Sequence, residues 1–207
     1  MTKGRLRDAG ERGLAMPPTI EAIQAAITTL HVAAIVNAAN EMLAPGSGVC
    51  GAIHRAAGPR LEDACYDLPE ARPGIRCEPG TAVATRGFEL PAKCVIHTVG
   101  PVWVNGRSGE DDTLAACYRS CLEICRKGKI PTIAFPAIST GSYGFPGEYA
   151  AIIAVRTLAQ AIRPTDEHPE PLPHLERIVL CAFDSKTLGR YQKQLAAAGL
   201  REAQPQA

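Results

Sequence analysis

From Thr19 to Ala198, short runs rich in Val and Ile alternate with longer segments whose apolar residues return at three- and four-residue steps. This alternation constrains the fold more than any other feature, because a chain that switches repeatedly between short buried runs and a 3.6-residue period builds a sheet covered by helices. Strands are expected at Thr19–Gln24, Val32–Asn37, Gly80–Thr85, Cys94–Val99, Ile130–Pro136 and Ile178–Phe183, where β-branched residues sit between Gly and Pro. Helices are expected at Val49–Ala57, Pro59–Asp67, Glu110–Lys127, Gly147–Ile162 and Ser185–Ala198. The order predicts a three-layer α/β/α sandwich with a mixed, mostly parallel central sheet. With 207 residues the chain has length for one core, assigned to residues 16–200 with tails at 1–15 and 201–207. The segment RPTDEHPEPLPHLE, Arg163 to Glu176, carries four prolines and several charges, which predicts a solvated connection.

Composition narrows the function. Hydrophobic residues make up 46% and charged residues 21% of the chain, the balance of a folded domain. A formal net charge of +1 supplies no global field toward nucleic acid or an anionic membrane, so any bound anion must be held by local donors. The start, MTKGRLRDAGERGLA, lacks the apolar centre of a signal peptide, and no run has the length to span a bilayer. It is read as a disordered tail on a cytoplasmic protein. The eight cysteines include no CxxC pair, which favours free thiols in a reducing compartment over a zinc site. Cys117, Cys121 and Cys125 recur every four residues and align on one helix face, as a small-residue core stripe does.

Two stretches carry chemistry. In AIVNAANEMLAPGSGVCGAIHRAAG, Ala34 to Gly58, an apolar strand ends in two asparagines and passes through a glycine-containing loop into a helix. A helix start offers unpaired N–H groups and partial positive charge, and Gly46, Gly48 and Gly51 leave room for the backbone to approach a phosphate. In IAFPAISTGSYGFPGE, Ile133 to Glu148, the layout repeats with Gly141, Gly144 and a Pro near the next helix start. Two such loops at the C-terminal ends of parallel strands face one crevice, where open α/β sheets bind ligands.

In this order and spacing the loops resemble those of the macrodomain family, specifically its branch of ADP-ribosyl hydrolases and O-acetyl-ADP-ribose deacetylases. The segments GAIHRAAGP (Gly51 to Pro59), LPAKCVIHTVGPVW (Leu90 to Trp103) and IAFPAISTG (Ile133 to Gly141) carry the resemblance along nearly the whole chain. It implies ADP-ribose or a close derivative as ligand, ADP-ribosylated proteins among the partners, and neither cofactor nor metal. Asn40 matches the asparagine beside the distal ribose, whereas Asn37 reads as structural. Gly46, Gly48, Val49 and Cys50 match the first diphosphate loop, and Ser139, Thr140, Gly141, Ser142 and Tyr143 the second. Ile27 matches a residue at the nucleobase end, and Phe183, with Asp184 behind it, the position from which an aromatic ring stacks on adenine.

Three departures stand out. Ala26 replaces an Asp that in most relatives accepts a hydrogen bond from the adenine amino group, which weakens base recognition by roughly 1 to 3 kcal/mol if nothing replaces it. Cys50 stands where the hydrolase branch has an Asp, and Pro45 and Ser47 replace loop glycines. Hydrolysis at the distal ribose therefore has alternatives. A phosphate oxygen of the ligand and Asn40 can orient water, or Cys50 can act as a nucleophile with His54 one turn later as its base, an esterase of altered specificity. In the third alternative the chain is a non-catalytic reader of ADP-ribose.

Overall fold

The computed structural model describes residues 18–165 and 172–200. The tails assigned to 1–15 and 201–207 lie outside the described residues. Six strands and five helices follow in the order β1 (Thr19–Gln24), β2 (Ala34–Ala38), α1 (Gly48–Ala57), α2 (Pro59–Tyr66), β3 (Ala82–Arg86), β4 (Cys94–Thr98), α3 (Glu110–Gly128), β5 (Thr132–Phe135), α4 (Gly147–Ala161), β6 (Arg177–Ala182) and α5 (Ser185–Ala197). A short 3₁₀ turn at Ile27–Thr29, not expected from the sequence, follows β1.

The sheet order is β1-β6-β5-β2-β4-β3. All neighbours pair in parallel except β3 against β4. Alternation along each buried strand divides the core. Ala34, Val36, Ile96, Ile133, Phe135, Ile178 and Leu180 face the layer containing α3, α4 and α5. Ile35, Val95, Ala134, Val179 and Cys181 face α1 and α2. Both faces are covered, so the strands read as near-continuous apolar runs rather than as alternating ones.

The three cysteines of α3 belong to this core: Cys117, Cys121 and Cys125 are all buried, and the Cys117 thiol donates to the Val99 carbonyl at 3.2 Å. All eight cysteines are free thiols. The expectation of a solvated spacer over 163–176 needs correction at its C-terminal end. Leu172 and Leu175 are buried in the α3–α4–α5 layer, and the Glu176 N–H donates to the Pro131 carbonyl at 2.8 Å. Proline content marks a break in regular structure, but two leucines three residues apart within one turn still reach the core. Among the described residues no helix is long and apolar enough to cross a membrane.

Candidate functional site

The order β5-β2 places side by side two strands whose following helices, α4 and α1, pack on opposite faces. The loops after these strands must diverge, and a cavity of about 280 Å³ opens between them. Ala38, Ala39, Asn40, Gly46, Ser47, Gly48, Val49 and Cys50 line one side; Gly100, Ala137, Ser139, Gly141, Ser142 and Tyr143 line the other. No Asp, Glu, His, Lys or Arg is among them. An anion here is met by backbone N–H groups rather than by a counter-charge.

The first loop presents those groups at the start of α1. Ser47 precedes the helix in an extended conformation without a side-chain capping bond, and no acidic residue lies in the first turn. The first-turn N–H groups, with the positive end of the helix dipole, are therefore left for a ligand. Asn40 holds the loop: its Nδ2 donates to the Ala44 carbonyl at 2.8 Å and its Oδ1 accepts from the Ala44 N–H at 3.1 Å. Arg76 and Cys77 N–H groups fix the Glu41 carbonyl at 2.9 and 3.1 Å. Asn40 thus lines the cavity while each of its amide atoms is engaged once by the loop, a structural duty that the sequence reading had given to Asn37 alone.

The second loop is fixed by Thr140, whose N–H and hydroxyl both bond the Ala137 carbonyl, and by the Gly144 N–H to Gly141 and the Phe145 N–H to Ser139, each at 2.9 Å. Ser139 takes a left-handed φ of 65°, a strain that tight loops at ligand sites commonly hold. The Trp103 N–H donates to the Tyr143 carbonyl at 2.8 Å, and the Trp103 ring packs edge-on against Phe145 with centroids 4.6 Å apart. The loop that follows Trp103 is held by Glu110, missed in the sequence. The buried Glu110 carboxylate accepts from the N–H groups of Val104, Asn105, Gly106 and Ser108. These bonds, the Asn105 one foremost, hold its carboxyl down at about 2.

Behind the first loop lies a buried polar row. Asn37 is fully buried and its Nδ2 bonds His97 Nδ1 at 3.1 Å, with the Cys50 sulfur 3.7 Å away. His97 Nε2 meets the Thr85 hydroxyl at 2.8 Å. Burial, with repulsion from His54, pulls His97 down to about 3, so the ring is neutral. The expectation of a Cys50–His54 pair is not met by this geometry. Cys50 is buried with its thiol 3.7 Å from the Ala44 carbonyl. Both His54 ring nitrogens are buried without a hydrogen-bond partner, and burial lowers the pKa of this histidine against the opposing charge of Glu62. One helical turn puts the two residues on one face but does not aim the ring at the sulfur.

Of the other expected ligand residues, Ile27 is buried in the 3₁₀ turn and Thr140 is turned onto its own loop. Phe183 is 84% exposed just beyond the C-terminal end of β6, at the same end of the parallel strands as the loops that form the cavity. Asp184 caps α5, accepting from the Thr187 N–H at 2.7 Å and hydroxyl at 3.2 Å. Neither Ile27, Thr140, His54, Phe183 nor Asp184 is part of the cavity wall. Ala38, Ala39, Gly100 and Ala137 are, and the sequence reading passed over them; so is Ser47, which it had marked only as a replaced loop glycine. Their signal was position alone, small residues next to the strand ends and loop glycines.

Known proteins share this arrangement. The chain is 49% identical over 178 residues to a Macro domain-containing protein of Chlorobaculum tepidum, a match covering 86% of this chain and 96% of the relative. It is 46% identical over 184 residues to a protein of Enterobacter cloacae subsp. cloacae named O-acetyl-ADP-ribose deacetylase, covering 89% and 97%. A solved structure of an Oceanobacillus iheyensis macrodomain variant with ADPR matches with a TM-score of 0.81 at 36% identity, covering 90% of this chain and 97% of that one. The Macro domain model itself matches residues 36–154, more than half of the sequence, and the chain belongs to the Macro domain family.

Proposed function

We propose that this chain binds ADP-ribose and hydrolyses an acyl ester or ADP-ribosyl bond at its distal ribose, acting on O-acetyl-ADP-ribose or on mono-ADP-ribosylated proteins. The observation that carries the binding is the cavity between the two loops, free of charged side chains and flanked by the uncapped start of α1. Such a wall suits a diphosphate, which takes many N–H donors at once. With the diphosphate between the β5 and β2 loops, one end of the ligand reaches toward Phe183 beyond β6. The other end reaches toward Asn40 and Gly100, beyond β2 and β4. The hydrolase half draws support from relatives named O-acetyl-ADP-ribose deacetylase.

A non-catalytic reader is the second reading, favoured by the lack of a carboxylate in the cavity wall and by Cys50 in the place of the family Asp. Calorimetric titration with ADP-ribose, paired with turnover of O-acetyl-ADP-ribose and of a mono-ADP-ribosylated protein, separates the two. Binding with release of acetate or free ADP-ribose supports the hydrolase. Binding without release makes the chain a reader, and no binding overturns both.

A further inference from the structure

On the hydrolase reading, the group to be released sits at the Asn40–Gly100 end of the cavity. The chain leaving Gly100 borders that end. Gly100 is part of the wall, and three residues later the Trp103 N–H donates to the carbonyl of Tyr143, a wall residue of the second loop, at 2.8 Å. Residues 100–103 therefore form a stretch of rim tied to the wall at both ends.

Side chains alternate along this rim. The Trp103 ring turns inward onto Phe145, while Val102 and Val104 on either side of it are 57% and 69% exposed. The exposed Tyr149 ring lies edge-on to Trp103 with centroids 6.2 Å apart, and its hydroxyl is given to the Asp111 carboxylate. Exposed apolar residues scattered singly are ordinary, but these four are contiguous and border a ligand cavity, which is where an apolar surface marks an interaction. The patch is also rigid. Val104 is held by its N–H to the buried Glu110 carboxylate at 3.2 Å, and the next two N–H groups bond the same oxygen at 3.1 and 3.0 Å. Pro101 fixes its own φ. A surface already held in place loses little entropy when a ligand covers it.

Resting on the hydrolase reading, we propose that this chain takes O-acyl-ADP-ribose esters whose acyl group is longer than acetyl, a straight saturated chain whose methylenes lie on Val102 and Val104. An acetyl group ends one carbon past its carbonyl and has little to lay on the rim, whereas a longer chain leaves the cavity across it. The bond cleaved is the same acyl–oxygen bond. Water gives its oxygen and one hydrogen to the acyl carbon and its other hydrogen to the ribose oxygen, and the products are the longer carboxylic acid and ADP-ribose.

The test compares hydrolysis of O-hexanoyl- and O-acetyl-ADP-ribose by the full chain. Full burial of one methylene is worth about fourfold in affinity. A patch that covers one side of the chain gives about twofold for each, so the four extra methylenes raise kcat/KM on the order of tenfold, through KM rather than kcat. Val102→Thr with Val104→Thr keeps the side-chain shape, removes the apolar face and brings the hexanoyl-to-acetyl ratio within about twofold of one. Tyr66→Ser, at an exposed apolar residue of α2 remote in sequence from the rim, keeps the wild-type ratio. Equal kcat/KM for the two esters in the wild type overturns the proposal and leaves the hydrolase reading standing, as does a preference that survives in the double threonine variant. If the wild type binds ADP-ribose but hydrolyses neither ester, the hydrolase reading falls and the two Kd values decide the patch: tighter binding of the hexanoyl ester, lost in the double variant, supports the contact, and equal Kd values overturn it.

Discussion

Replacing Gly51 by alanine tests whether the α1 start and the first loop act as one binding unit. Gly51 lies buried one turn into α1. A Cβ built there comes 2.2 Å from the Gly46 carbonyl oxygen and 3.1 Å from a guanidinium nitrogen of Arg55. The arginine end can swing aside, but the oxygen is backbone. Non-bonded contacts settle near about 3.5 Å, so helix and loop must part by about 1 Å. The clamp of Asn40 on Ala44 restrains the base of the loop, so the displacement falls on Gly46 and Ser47, both in the cavity wall. Helix propensity alone would favour alanine by about 1 kcal/mol, whereas forcing a methyl into a filled space costs about 1 to 3 kcal/mol. The expected result is a small net fall in stability with a much larger loss of binding. A shift of about 1 Å in the diphosphate donors weakens ADP-ribose affinity by at least about tenfold, or about 1.4 kcal/mol. Titration calorimetry and thermal unfolding read the two effects separately. Gly189→Ala in α5, where the added methyl meets open space, is the control, expected to raise stability by about 0.5 to 1 kcal/mol without changing binding. If Gly51→Ala binds ADP-ribose as the wild type does and melts at the same temperature, the contact between α1 and the loop does not govern the site.

Three further outcomes are expected. Glu110→Ala, which leaves four loop N–H groups without their acceptor, destabilises the protein at neutral pH. The Glu110 carboxyl is held below its ordinary 4.5, at about 2. Its contribution is therefore complete above about pH 4.5 and is lost as pH falls toward 2, so the wild-type and variant urea-unfolding curves converge over that window. Leu175→Ala lowers the unfolding free energy by about 2 to 4 kcal/mol, because Leu175 is a buried core residue and not part of a loose spacer; an effect under about 0.5 kcal/mol, the size of an ordinary surface substitution, would return the segment to solvent. Cys50→Ala keeps ester turnover within about threefold, since no base is aimed at the thiol and a true nucleophile would lose orders of magnitude.

The elements and the two loops were legible in the sequence because their causes are local. Val and Ile runs such as Ile35–Val36 and Ile178–Leu180 fix strands by burial on both faces. Loop glycines and Pro146 mark chain reversals, and the observed boundaries lie within two residues of the expected ones. The cavity's position followed from strand–loop–helix order. What the sequence could not give are side-chain directions and the hydrogen-bond partners they select. Cys50 and His54 share a helix face by periodicity, yet where the ring points depends on how α1 rests on β2 and β4. Asn37 and Asn40 are chemically the same group three residues apart. Only the packed structure turns one onto His97, 60 positions away, and the other onto Ala44. Glu110 reads as an ordinary acidic residue at a helix start until the fold wraps the 104–108 loop around it. Periodicity and turn chemistry act through neighbours in sequence, whereas hydrogen-bond partners and electrostatic environments depend on neighbours in space, which exist only after the chain has folded.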